Sequence, residues 1–278
     1  MAQVSPVPEL VSGLVSLALR AGRVILDIYA TDFAVHQKAD ASQVTQADHD
    51  AEAVILDGLA RLHPDIPVVA EEEAAAGRIP DAGKRFFLVD PLDGTKEFIS
   101  RNGEFTVNIA LIEQGAPRAG VVYAPALGVV YAGAVGSGAW KGEVRDDHLT
   151  SLVPIKVREA PARLAAIGSR SHATAETSDW LGQFPVESFV AAGSSLKFCL
   201  LAEGTADLYP RLGRTMEWDT AAGDAVLRAA GGVVTTLDGR PLTYGRCVQE
   251  GDAPFANPHF VAYGDRNLVR LTPARAGG

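Results

Sequence analysis

The residues most able to do chemistry are Asp90, Pro91, Leu92, Asp93, Gly94 and Thr95, which follow one another in the chain. Phe86 to Val89 form a short apolar run ahead of them, the pattern of a buried strand. Asp90 ends that run. Pro91 fixes its own φ and removes a donor from the sheet, so the chain is expected to turn there. Asp93, Gly94 and Thr95 then suit a tight turn opening into a short helix. Two carboxylates on one rigid corner, beside a helix start whose free N–H groups attract anions, would suit a hard divalent cation and a phosphate. An ordinary Asp-Gly turn with one capping acid explains the same residues structurally.

Other polar groups stand at helix starts. Ser169, Arg170, Ser171 and His172 follow an apolar run and suit either phosphate contacts or the cap of a helix over 175–183. Gly193, Ser194, Ser195 and Lys197 open a helix that runs to Glu203. A serine there is first of all a cap, yet the same start offers N–H groups, hydroxyls and an ammonium to an anion. Asp48 lies in a helix's first turn and Asp219 at the entry to another, and each has a purely structural reading, as dipole partner or N-cap. Glu71, Glu72 and Glu73 read as a mostly solvated loop after a strand at 68–70. Cys199 falls on an apolar helical stripe and reads as core. The six histidines show no metal-ligand spacing, and no zinc motif, P-loop or GxGxxG stands out.

Composition narrows the classes. The chain has 278 residues, a net charge of -9 and a pI of about 5.2. That length supports one large or two small domains, and the acidity argues against a nucleic-acid-polymer surface. A small phosphorylated ligand would then need local cations or metal ions. Two cysteines are too few for a disulfide framework, and no run approaches the ~18 apolar residues of a membrane span. The expectation is a cytoplasmic protein, with peripheral attachment at the inner face of the membrane and oligomeric state left open.

The elements that must position these residues are legible in outline. Leu10, Leu14, Leu17, Ala21, Val24 and Ile28 recur at helical spacing over 8–30. A second helix is read within 36–62, with an apolar face at Ala47, Ala51, Val54, Ile55, Leu59 and Leu62. Strands are expected at 105–113, 119–124, 129–134 and near 140, the middle pair flanking a hairpin at 125–128. Two helices followed by consecutive strands predict an α+β arrangement. Beyond a boundary placed at 145–160, strands and helices alternate, as in an α/β unit. The division drawn is 1–154 and 155–278.

The string 90–95 resembles the metal-binding signature of the inositol-monophosphatase-like, Mg²⁺-dependent, Li⁺-sensitive phosphatases. Trp218, Asp219, Ala221, Ala222 and Gly223, followed by Gly231 and Gly232, match that family's second signature. Lys96, Glu97 and Phe98, residues 101–108 and residues 193–199 resemble one branch, the 3′(2′),5′-bisphosphate nucleotidases of the CysQ type. The resemblance covers nearly the whole chain and implies a layered αβαβα sandwich with the site between its two halves. It implies that Glu71 (Glu72 as the fallback), Asp90, Asp93, Asp219 and the Leu92 carbonyl hold two or three Mg²⁺ ions. One ion would activate a water aligned by Thr95 and Asp48, and another would stabilise the leaving oxygen. Gly94 and Thr95 N–H groups would hold the phosphate, and Lys38 matches a position near the metals.

Where the inositol branch carries an acid for a sugar hydroxyl, this chain has Tyr209, Pro210 and Arg211. An Arg fork suits a second phosphate and a Tyr ring a base. Substrate contacts are therefore expected from Lys38, Leu92, Asp93, Gly94, Thr95, Ser171, His172, Ser194, Ser195, Lys197, Tyr209, Arg211 and Asp219. The implied activity is removal of the 3′-phosphate of adenosine 3′,5′-bisphosphate, and of its sulfated relative, in sulfur metabolism. The alternatives are an inositol or sugar phosphatase on the same scaffold, and a binding protein without catalysis.

Overall fold

The structure, a computed structural model, describes residues 7–37, 43–168 and 175–271. Helix α1 (Glu9–Tyr29) buries Leu14, Leu17, Ala18, Ala21 and Ile25. Leu10, Val24 and Ile28 are only partly buried, so the packed face is rotated slightly from the one read from spacing. A ribbon of β1 (Val35–Gln37) and β2 (Gln43–Thr45) precedes α2 (Gln46–Leu62), which begins well after residue 36. Thr45 caps it: the side chain accepts from the Ala47 N–H at 3.2 Å.

A seven-stranded sheet follows, its strands adjacent in chain order. They are β3 (Val68–Ala70), β4 (Arg85–Asp93), β5 (Thr106–Glu113), β6 (Ala116–Ala124), β7 (Val129–Ala134), β8 (Gly138–Arg145) and β9 (His148–Ile155). Only β3 and β4 are parallel. Short helices α3 (Glu71–Ala75) and α4 (Thr95–Ile99) follow β3 and β4. The glutamate run is thus the start of a helix with Glu72 buried, because α3 packs back on α2. The charged segment 145–148 is a hairpin turn inside the sheet, with Asp146 and Asp147 at φ 48° and 61°, the left-handed pair such a turn requires.

The second sheet contains β10 (Leu164–Gly168), β11 (Val186–Ala191), β12 (Leu208–Arg211), β13 (Val233–Thr236) and β14 (Phe260–Tyr263), ordered β11-β10-β12-β14-β13. Its helices are α5 (Ala175–Leu181), α6 (Leu196–Ala202) and α7 (Glu217–Ala229). Edge strand β11 was not anticipated; Glu187, Ser188 and Phe189 are all exposed, so it lacks the buried face that sequence patterns report.

α1 and α2 cover one face of the large sheet, and α6 and α7 fill the space between the two sheets. α5 closes the outer face of the small sheet through Trp180 and Leu181. The result is the five-layer αβαβα sandwich. α7 lies so close to the large sheet that a Cβ on Gly120 would fall 2.7 Å from the Ala222 carbonyl, and one on Gly133 2.8 Å from Val226 Cα. We propose residues 1–154 and 155–278 as the two halves, the large sheet ending with β9 at Ile155. Among the described residues no helix is long and apolar enough to cross a membrane.

Candidate active site

The site begins with an irregularity in β4. Asp90 pairs with Asn108 and Asp93 with Thr106, so Pro91 and Leu92 oppose Val107 alone. Such a bulge re-aims side chains, and Pro91 sits where a ladder donor is dispensable. The strand therefore runs through to Asp93 instead of stopping at Asp90. Asp90 is 1% exposed and its Oδ1 accepts the Leu92 N–H at 3.0 Å; Leu92 is buried in the bulge. Gly94 has φ 91°, and a Cβ there would lie 2.1 Å from Ser194 Oγ. Only glycine meets both conditions.

Thr95 opens α4 and donates from Oγ1 to Asp48 Oδ1 at 3.3 Å. Asp48 Oδ2 accepts from both the N–H and the hydroxyl of Thr45 at 2.8 Å. The structural and chemical readings of Asp48 thus coexist: one oxygen completes a capping box and the other faces Thr95. Glu71, the first residue of α3, hydrogen-bonds Asp90. Its neighbours do other work. Glu72 is buried, and Glu73 pairs with Arg78. The backbone here is held by Glu52, whose carboxylate accepts the N–H groups of Glu72 and Glu73 at 2.8 and 3.0 Å. Asp219 is the third residue of α7, not its N-cap, and accepts the Met216 N–H at 2.8 Å.

These acids act on one another. Burial pushes Asp90 well above the usual carboxylate range, and the charges of Glu71, Asp93 and Asp219 push the same way. Burial, then Asp93 and Glu71, raise Asp219 similarly. Asp93 rises to about 6, because burial outweighs the opposing pull of Lys197, Asn108 and Ser195. Among the described residues no three His, Cys, Asp or Glu side chains are drawn close enough to hold a metal ion as they stand. Asp90 shares a hydrogen bond with Glu71. The donor set nevertheless fits a hard divalent cation: all are carboxylates, buried or half-buried, with a mutual repulsion that such an ion relieves.

A cleft of about 120 Å³ opens beside them, with Asp93, Gly94, Lys197, Arg211, Thr215 and Asp219 in its lining. Lys197 is 6% exposed and donates to the Ser194 carbonyl at 2.6 Å. Burial lowers its ammonium to about 8, with Asp93 resisting the shift. Arg211 donates to the Arg214 carbonyl at 3.0 Å, while its buried Nε has no partner among the described residues. Tyr209 is 3% exposed, and its ring meets Phe198 and Phe260 edge-on with Lys197 Nζ 5.5 Å away. Tyr209 nevertheless belongs to the lining of the same cleft.

The two serines are engaged with protein. Ser194, at φ 47°, has its Oγ 2.8 Å from the carbonyls of both Asp93 and Glu104. Ser195 stands at the N-cap of α6 without a capping bond; its Oγ donates to the Asp219 carbonyl at 2.6 Å. Lys38, Ser171 and His172 lie outside the described residues. Asn108, Thr215 and Glu52 belong to the neighbourhood and were missed. Asn108 was detectable as a polar residue inside an apolar strand, and Glu52 as an acid on the apolar side of α2.

The inositol monophosphatase family model matches residues 7–261. A 3′(2′),5′-bisphosphate nucleotidase CysQ of Escherichia coli O157:H7 is 51% identical over 232 residues, covering 82% of this chain and 91% of that protein. The crystal structure of CysQ from Bacteroides thetaiotaomicron, a bacterial member of the same family, superposes with a TM-score of 0.75 at 37% identity, over 92% of this chain and 97% of that one. A Thermotoga maritima IMPase, at 23% identity and a TM-score of 0.74 over 95% and 97% of the chains, shares the fold. With its layered sandwich and its acids gathered at the β4 bulge, the chain belongs to the inositol monophosphatase family and is a hydrolase of its CysQ branch.

Proposed function

We propose that the protein uses Mg²⁺ to hydrolyse the 3′-phosphate of adenosine 3′,5′-bisphosphate, giving AMP and phosphate, and that it also accepts 3′-phosphoadenylyl sulfate. The likeness to proteins named for bisphosphate nucleotide hydrolysis supports the substrate class. The observation that carries the reading is that Lys197 and Arg211 line one cleft with Asp93 and Asp219. Acids suit metal-assisted attack on one phosphate, and two cations suit a second. Arg211 Nε, buried and without a partner among the described residues, is a donor that a phosphate oxygen would satisfy.

In this mechanism Glu71, Asp90, Asp93, Asp219 and the Leu92 carbonyl would hold two or three Mg²⁺ ions. When bound, Mg²⁺ supplies Lewis acidity that activates water and offsets phosphate charge, and Li⁺ would inhibit by competing for such a position. Thr95 donates its own proton toward Asp48, which leaves its oxygen lone pairs to accept from the attacking water. The proton released by that water can pass through Thr95 to Asp48. Thr45 holds the other Asp48 oxygen, so the acceptor cannot turn away. Glu71 hydrogen-bonds Asp90 and so orients it. Gly94 and Thr95 N–H groups address the phosphate oxygens as charge develops.

The deciding measurement is phosphate release with Mg²⁺ from adenosine 3′,5′-bisphosphate and from inositol 1-phosphate, each with and without Li⁺. Fast, Li⁺-inhibited turnover of the nucleotide is expected. Preference for inositol phosphate would overturn the reading of Lys197 and Arg211. Release from neither would move the protein to another phosphate ester or to a binding role.

A further inference from the structure

Asn108 lies within β5, fully buried between Val107 and Ile109. A carboxamide is costly in such a place unless its polar atoms are paired. Thr106 Oγ1 donates to Asn108 Oδ1 at 3.0 Å, which fixes the orientation of the amide. Nδ2 then donates to Ser195 Oγ at 3.0 Å and approaches Asp93 Oδ2 at 3.3 Å. Ser195, 1% exposed, passes its own proton to the Asp219 carbonyl at 2.6 Å. The line runs from the large sheet to the first turn of α7, and Ser195 also lies in hydrogen-bond contact with Asp93.

The line touches both halves of the site. At one end an amide donor addresses the anionic form of Asp93. At the other the hydroxyl holds the main chain of Asp219, whose carboxylate is already tied to the Met216 N–H at 2.8 Å. Displacing that carbonyl therefore displaces the acid. Ser195 occupies a helix N-cap yet makes no capping bond, so its hydroxyl is committed to this bridge.

We propose that Thr106, Asn108 and Ser195 form a hydrogen-bonded yoke that sets the separation of Asp93 and Asp219 and thereby the affinity of the site for Mg²⁺. All three are positioning residues. The inference rests on the reading that Asp93 and Asp219 hold the metal. Packing alone does not explain the yoke, because a leucine has nearly the shape of the asparagine and would need no partners.

The test is calorimetric titration of the metal-stripped full chain with Mg²⁺, alongside melting curves, for Ser195→Ala, Asn108→Leu, their double mutant and the reference Asp93→Asn. Ser195→Ala and Asn108→Leu should each weaken Mg²⁺ binding about tenfold, as loss of a partner that orients a ligand typically does. The double mutant should lose little beyond either single change, since both break one line. Turnover of Ser195→Ala should recover at saturating Mg²⁺, which general structural damage would not allow. If Asn108→Leu fails to fold, the nearly isosteric Thr106→Val takes its place, with a smaller loss expected. Wild-type affinity in Ser195→Ala and Asn108→Leu, with binding lost in Asp93→Asn, would overturn the yoke. Fully additive losses would overturn it as a unit. Wild-type affinity in Asp93→Asn would overturn the metal assignment beneath it.

Discussion

On α7, Asp224 accepts hydrogen bonds from Arg228 at 2.7 and 2.9 Å and from the Tyr244 hydroxyl at 2.9 Å. On β4, the equally buried Asp90 faces Glu71, Asp93 and Asp219. Other buried acids follow the Asp224 pattern: Asp207 is clasped by Arg158 at 2.7 and 2.8 Å, and Glu217 by Arg246 at 2.8 Å and two main-chain N–H groups. The structural acids carry their counter-charge within the chain. Those at the β4 bulge mostly carry one another. Breaking a buried pair is strongly destabilising, whereas grouping carboxylates gives the fold nothing. Uncompensated buried charge in a cleft therefore separates the working acids from the packing ones.

The largest test of this contrast is Asp90→Asn. Its phosphatase turnover should fall at least about a thousandfold, the equivalent of several kcal/mol of lost metal assistance. The melting temperature in chelator should rise, because a repelled buried charge is removed. A fall in melting temperature would erase the distinction. Asp224→Asn should do the reverse, costing about 3 kcal/mol by leaving Arg228 without its partner, while calorimetry finds Mg²⁺ affinity unchanged.

Gly94→Ala probes the junction between the regions. Strain at a positive φ and the approach to Ser194 Oγ should cost on the order of 2 kcal/mol and shift Thr95 relative to Asp48. Denaturant melts and kcat would check both, and a neutral result would mean that the two halves slide freely here.

Glu52 is an intermediate case, with main-chain donors but, among the described residues, no arginine hydrogen-bonded to it. Burial raises it from 4.5 to about 7, outweighing those donors, and the Glu72 and Glu73 charges add to the rise. The folded state therefore binds the proton more tightly than the unfolded one. Its contribution to stability is fully present below pH 4.5 and is lost as pH rises toward 7. Wild type should lose on the order of 2 kcal/mol relative to Glu52→Gln across that window, read from melts at each pH. A constant difference between them would show that the two main-chain bonds fully offset burial.

The legible parts of the chain were those whose signal is local. Apolar spacing located α1 and α2, and the hairpin at 125–128 announced itself through its turn residues. The illegible parts depended on partners distant in sequence. Exposed β11 has no buried face, the glutamate run becomes a helix because α2 lies against it, and Tyr209 packs edge-on against Phe198 and Phe260.

By itself the sequence determined which acids, turns and cations the protein has, and the signatures around Asp90, Asp93, Thr95 and Asp219 carry its resemblance to the family. Those are properties of residue type and spacing. Only the tertiary structure decided what each group is free to do. Asp48 divides its oxygens between a cap and Thr95, Ser195 gives its hydroxyl to the Asp219 carbonyl, and Arg211 keeps a buried donor that is unpaired among the described residues. A hydrogen-bonding group can be spent only once, and tertiary packing is what brings Thr95 to Asp48 and Ser195 to the Asp219 carbonyl from distant parts of the chain.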